Sequence, residues 1–109
     1  MTLNELRVSS RSDPSAAAGA IANGVRESGK ANVVAIGPRA VNQAVKAVAI
    51  ARSYVAASGV DLYFVPSFTS VQLPEENEGK TAIQLAVRPR HEITGGAPSR
   101  QTQASADGS

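Results

Sequence analysis

Between Gly37 and Gly59 the chain carries one amphipathic segment marked at both ends, Gly-Pro-Arg-Ala-Val-Asn-Gln-Ala-Val-Lys-Ala-Val-Ala-Ile-Ala-Arg-Ser-Tyr-Val-Ala-Ala-Ser-Gly. Pro38 suits a first helical position, where the missing N–H removes no bond. Gly59 supplies the left-handed residue that stops a helix. At about 100° per residue, Val41, Ala44, Val45, Val48, Ala51 and Val55 are predicted to face inward. Arg39, Asn42, Gln43, Lys46, Ile50 and Ser53 are predicted to face outward. The outward side therefore begins with two cations and two amides and carries no acid. Two explanations stay open. One is the solvated face of an ordinary amphipathic helix. The other is a face suited to a phosphate-bearing partner, because backbone N–H groups at a helix start already attract anions.

The segments on either side supply a sheet. Leu3 to Ser9 alternates Leu3, Leu6 and Val8 with polar residues and reads as a short strand, followed by the polar loop Ser9-Ser10-Arg11-Ser12. Asp13-Pro14 is an N-cap with proline at the next position, so a helix is predicted from about Pro14 to Ser28, ended by Gly29. Its Gly19 and Gly24 each cost about 1 kcal/mol relative to alanine in a helix, which implies that close packing requires them. Asn32 to Gly37 holds the apolar run Val33-Val34-Ala35-Ile36, the pattern of a central strand buried on both faces. Val60 to Leu73 is a long strand interrupted by Pro66, which calls for a bulge or an unpaired edge. After the turn Pro74 to Lys80, Thr81 to Arg88 places Ile83, Leu85 and Val87 on one side and Ala82, Gln84, Ala86 and Arg88 on the other. The expected class is α+β, a two-layer sandwich of order β-α-β-α-β-β whose last two strands form a hairpin. Right-handed crossovers would put both helices on one face of a mixed sheet. The domain is expected over residues 1–90. Residues 91–109, rich in Gly, Ser, Gln, Thr and Ala, are expected to be a flexible tail.

Composition removes several classes of function. A chain of 109 residues holds one domain with a small core. Residues 1–90 contain ten Lys/Arg against seven Asp/Glu, a net of +3, which weakly favours an anionic partner. With no cysteine there is no disulfide, thiolate zinc site or cysteine nucleophile. No signal peptide or membrane-crossing apolar run is read, so the cytoplasm is the expected compartment. His91 is the single histidine and stands where the fold gives way to the tail. Asp13 is explained as a cap, and Glu75, Glu76 and Glu78 sit in one turn. No Ser-His-Asp set or metal-ligand spacing can be assembled, and no catalytic residue, metal or cofactor is expected. Gly37-Pro38-Arg39 lacks the further glycines of a dinucleotide or P-loop motif, although a small phosphate ligand there remains a third reading.

Parallel pairing of the first two strands would bring the Ser9–Ser12 loop and the start of the second helix to one edge. Ser10, Arg11, Arg39, Asn42 and Lys46 would then converge as phosphate donors without reading sequence. Taken singly, the loop serines are also explained by turn chemistry. Ile50, on the otherwise polar helix side, and Tyr54 are the expected dimer contact.

The run Ala35-Ile36-Gly37 through Ala51-Arg52 resembles the stage V sporulation protein S family. Arg7-Val8-Ser9, Ser58-Gly59-Val60-Asp61-Leu62, Pro66-Ser67-Phe68-Thr69 and Thr81-Ala82-Ile83 fit the same pattern, so the likeness covers about residues 3–90. That family resembles the Alba chromatin and RNA-binding fold. The resemblance implies a small regulator connected with spore coat assembly and septation that binds DNA or RNA, and the Ile50 and Tyr54 reading adds the expectation of a homodimer or higher homo-oligomer. In Alba-like proteins, basic residues in the first strand–helix loop and at the start of the second helix contact nucleic acid, and Arg11, Arg39 and Lys46 stand at matching places. One departure is the last hairpin turn. Alba-like proteins carry a basic arm there, whereas Glu75-Glu76-Asn77-Glu78 would be repelled by phosphate. Either that arm points away from nucleic acid or the duplex-binding mode is lost, and few aromatic side chains offer base stacking. The competing reading is a protein-interaction or oligomerisation module that binds no nucleic acid.

Overall fold

The computed structural model describes residues 5–72 and 79–90. In chain order it contains β1 (Glu5–Val8), α1 (Pro14–Ser28), β2 (Ala31–Ala35), α2 (Pro38–Ala56), β3 (Asp61–Gln72) and β4 (Gly79–Arg90). The helices start and stop where their signals stand. An Asp13 carboxylate oxygen accepts the Ser15 N–H at 3.2 Å, Pro14 opens α1, and Gly29 ends it at φ 78°. Beyond α2 the Gly59 N–H donates to the Ala56 carbonyl and the Val60 N–H to the Val55 carbonyl, with Gly59 at φ 79°. This is a Schellman closure with glycine in the left-handed position.

One sheet of order β1-β2-β4-β3 results. β1 runs parallel to β2, and β4 is antiparallel to both β2 and β3. The last strand therefore inserts between β2 and β3 and leaves β3 on the edge. The expected α+β order, the hairpin and the Alba-like two-layer form are all present. Pro66 pairs with Leu85 in an unbroken register running from Asp61↔Arg90 to Gln72↔Gly79. No bulge is needed, because an edge strand uses only one side of its backbone for pairing.

Both helices cover one face of the sheet. Ala18, Ile21 and Ala22 of α1 and Ala44, Ala47 and Ala51 of α2 meet Val33, Leu85 and Val87 in the main core. With alanine on both helices, α1 and α2 approach each other closely as well as the sheet. Arg26 of α1 ties their ends by donating to the Tyr54 carbonyl at 3.1 Å, one of the carbonyls the last turn of α2 leaves without a helical partner. Of the two α1 glycines, Gly24 alone stands in a tight place. A Cβ there would stand 3.3 Å from the Lys30 carbonyl oxygen, whereas one at Gly19 would meet nothing within 4 Å.

The buried stripe of α2 is rotated from its expected position. Ala40, Ala44, Ala47, Val48, Ala51 and Val55 are buried, while Val45 is 40% exposed. The expected stripe followed the larger apolar residues, but the contact with α1 favours alanines. Ile50 is a second correction, being half-buried against the core rather than standing on the polar side. It flanks the Ala47–Ala51 stripe.

The other sheet face has no helix over it. It carries Arg7, Asn32, Gln84, Ala86 and Arg88 at alternating positions, with Arg88 donating to the Asn32 side-chain oxygen at 3.1 Å. Val34 is nevertheless buried there, in a small second cluster with Val71 and Ala82 of the hairpin. The two-sided burial expected of β2 is real, and on this side the hairpin provides it.

Candidate nucleic-acid interface

Parallel β1 and β2 release their chains at the same end, so the loop after Val8 and the start of α2 become neighbours. A hydrogen bond fastens them: Gln43 Nε2 donates to the Ser12 carbonyl at 2.8 Å, partly buried. The loop is also tied within itself. Its Ser9 N–H donates to Ser12 Oγ at 2.9 Å and the Arg11 N–H to Ser9 Oγ at 3.1 Å. Ser9 and Ser12 thus follow the turn-chemistry explanation, and the Ser10 hydroxyl has no partner among the described residues. Gly37 makes the abrupt exit from β2 into α2 at φ 90° and ψ 159°, a conformation in which side-chain-bearing residues are strained. It directs Pro38 and Arg39 to the sheet edge.

Two depressions open on this edge. The smaller, about 350 Å³, is lined by Ser10, Pro38, Arg39, Asn42 and Gln43. The larger, about 610 Å³, runs from Arg39 and the serine loop over Gly37 and Ile36 to Arg7, Val34 and Val71. Of the five expected contact residues, Ser10, Arg39 and Asn42 share one depression. Arg11 and Lys46 are exposed but line neither. Lys46 lies four residues beyond Asn42 and so extends the Arg39–Asn42 row by one turn. Neither Arg11, Arg39 nor Lys46 forms an ion pair among the described residues. The acidic turn Glu75-Glu76-Asn77-Glu78 and the 91–109 tail fall outside those residues.

A model of stage V sporulation protein S (SpoVS) matches residues 4–90. The chain belongs to the stage V sporulation protein S family. The match extends from the residue before β1 to the end of β4, so the SpoVS region contains both depressions and all five residues. Among the described residues of this SpoVS chain no three His, Cys, Asp or Glu side chains are grouped to hold a metal, and no helix is long and apolar enough to cross a membrane.

Three participants on this edge were not singled out from sequence. Gln43 was placed on the outward side of α2, but its tie to a carbonyl 31 residues earlier has no sequence signal. Arg7 alternates with Leu6 and Val8, which marks it as facing away from the helices; that it shares a depression with Ile36 and Val71 follows only from the sheet. Val71 reaches the larger depression through the hairpin, and nothing in its local pattern indicates this. Of the expected dimer pair, Tyr54 is 41% exposed, while Ile50 is partly buried against the core of its own chain.

Proposed function

We propose that this protein is a non-enzymatic regulator that binds nucleic acid through the phosphate backbone, with little sequence preference and as a homodimer. Ser10, Arg11, Arg39, Asn42 and Lys46 make the contacts. The observation that carries this reading is the Gln43–Ser12 tie, which holds two donor-rich segments together at an edge where α2 carries no acid. Hydroxyl, amide and guanidinium donors satisfy phosphate oxygens without distinguishing bases. Pairing two such edges across a dimer that includes Tyr54 would lengthen the cationic track.

Replacing Arg39 and Lys46 together by Glu tests the reading. Both residues are exposed, so the melting curve should stay unchanged while binding to labelled DNA or RNA is lost. Unchanged binding by the double variant would remove the site. Affinity of the parent protein should also fall steeply with salt, as counterion release requires.

One observation favours a second reading, a protein-interaction or oligomerisation module in a developmental or cell-division pathway. Edge strand β3 exposes Val65 at 54% and Phe68 at 80%, and exposed apolar side chains on an unpaired edge suit a protein partner. Association through them would be nearly indifferent to salt.

A further inference from the structure

The larger depression differs in kind from the edge that would track a phosphate backbone. Its apolar lining joins the exposed Ile36 and Pro38 to the buried Val34 and Val71, and the exposed cations Arg7 and Arg39 line it together with Ser10, whose hydroxyl has no partner among the described residues. Among the described residues no carboxylate lines it. At about 610 Å³ it falls within the range of small-molecule sites, which are mostly apolar with a few placed polar groups. Such a lining selects a ligand that is apolar over part of its surface and anionic at another part. It also disfavours a duplex, whose bases are stacked on one another and present only their edges.

We propose that this groove binds a nucleotide whose base is unpaired, the base lying on the exposed Ile36 and Pro38 beside the buried Val34 and Val71, and the phosphate between Arg7 and Arg39. The proposal rests on the nucleic-acid reading for its ligand class and adds the strand form: single strands are preferred to duplexes. Arg7 belongs to this groove alone, since the smaller depression and the α2 row do not include it. Branched aliphatic side chains accept any base face, and the rim offers few groups to read a base edge, so selectivity among bases is weak. The same chemistry is presented by a free nucleotide and by one unit of a strand, and separate arms of the test distinguish them.

The experiment records methyl resonances of the full chain during titration with adenosine monophosphate, with a short single-stranded RNA, and with the same sequence as a duplex. Fluorescence polarisation measures the affinities in parallel. The expected result is movement of the Val34, Ile36 and Val71 methyls by the single strand, with Val33 in the main core unmoved. Movement by adenosine monophosphate as well shows that the free nucleotide suffices; movement by the strand alone shows that the site needs a polymer, and either supports the groove. Arg7→Glu should weaken single-strand binding on the order of tenfold, as expected for loss of a charge-assisted contact, and weaken duplex binding far less. Ile36→Ser, which alters the apolar lining without touching charge, should act in the same direction and guards against a folding defect in the first variant. If single strands bind and Arg39→Glu/Lys46→Glu abolishes it, yet Arg7→Glu and Ile36→Ser change nothing, the groove is overturned and the edge reading stands. Duplex moving the same methyls with equal affinity also overturns it. If neither strand form nor the mononucleotide binds, both proposals fall.

Discussion

Gly37 controls the direction in which Arg39 leaves the sheet. Its φ of 90° with ψ of 159° is open to glycine and strained for other residues, although a Cβ there would meet no atom within 4 Å. The cost of Gly37→Ala is therefore conformational rather than steric. It should lower stability by about 1–3 kcal/mol, measured by urea unfolding, and should weaken nucleic-acid binding further by turning the start of α2. Asp61 makes a different residue-level contribution. Partial burial pushes its carboxyl pKa up, but the Arg52 Nε–H at 2.7 Å, the Leu62 N–H at 2.8 Å and the positive fields of Arg52 and Arg90 outweigh this, so the net shift is downward. A carboxyl with a lowered folded pKa stabilises the fold above its unfolded value and loses that contribution as pH falls through the folded one. Melting temperatures of the parent and Asp61→Asn should thus differ at neutral pH and converge below about pH 4. Both partners are about half exposed, so the neutral-pH difference should correspond to no more than about 1 kcal/mol.

Among the described residues the hydrogen bond from Gln43 to Ser12 fastens the loop to α2. Gln43→Ala removes the donor to the Ser12 carbonyl while leaving every charge in place. It should cost about 0.5–1.5 kcal/mol in stability and reduce nucleic-acid affinity severalfold, with the slope of affinity against salt unchanged. A changed slope would mean that phosphate contacts themselves were lost. Much of each element was legible in sequence. Asp13-Pro14, Gly29, Pro38 and Gly59 act over four to six residues, and each does in the structure what its type and position imply. The face of α2 was less legible, because a wheel of hydrophobicity ranks Val45 above Ala40 and Ala47. Contact with α1 reverses that order: where two helices and a sheet meet, the smaller side chain permits the closer approach.

For the whole molecule the decisive feature is that β4 lies between β2 and β3. This leaves twelve residues of β3 on an edge, with Val65 and Phe68 as its most exposed apolar side chains. Pro66 between them lacks an N–H and limits pairing by a further strand. Sedimentation should therefore show association weakened both by Tyr54→Lys, at the proposed dimer contact, and by Phe68→Ser, at the edge. If only Phe68→Ser acts, β3 is the contact surface and the α2 contact is dismissed. The candidate site shows the same division. Ser10, Arg39 and Asn42 come together through the parallel pairing of the first two strands, whereas the meeting of Arg7 with Val71 depends on the sheet order and the path of the hairpin.

The amino-acid pattern alone specifies where the helices begin and end, the strands to within about two residues at each end, which strand residues alternate, the α+β class and the family. These properties are encoded in caps, glycines and periodicities whose partners lie within a turn or a strand. The order of strands, the alanine stripe that α2 buries, the covering of Val34 by Val71 and the bond from Gln43 to Ser12 emerge only when the elements pack together. Each of these joins groups far apart in the chain, and each is selected by how closely whole surfaces approach. The candidate groove belongs to this second set: its apolar lining comes from β2, the turn into α2 and the hairpin, its cations from β1 and α2, and no local stretch of sequence contains it.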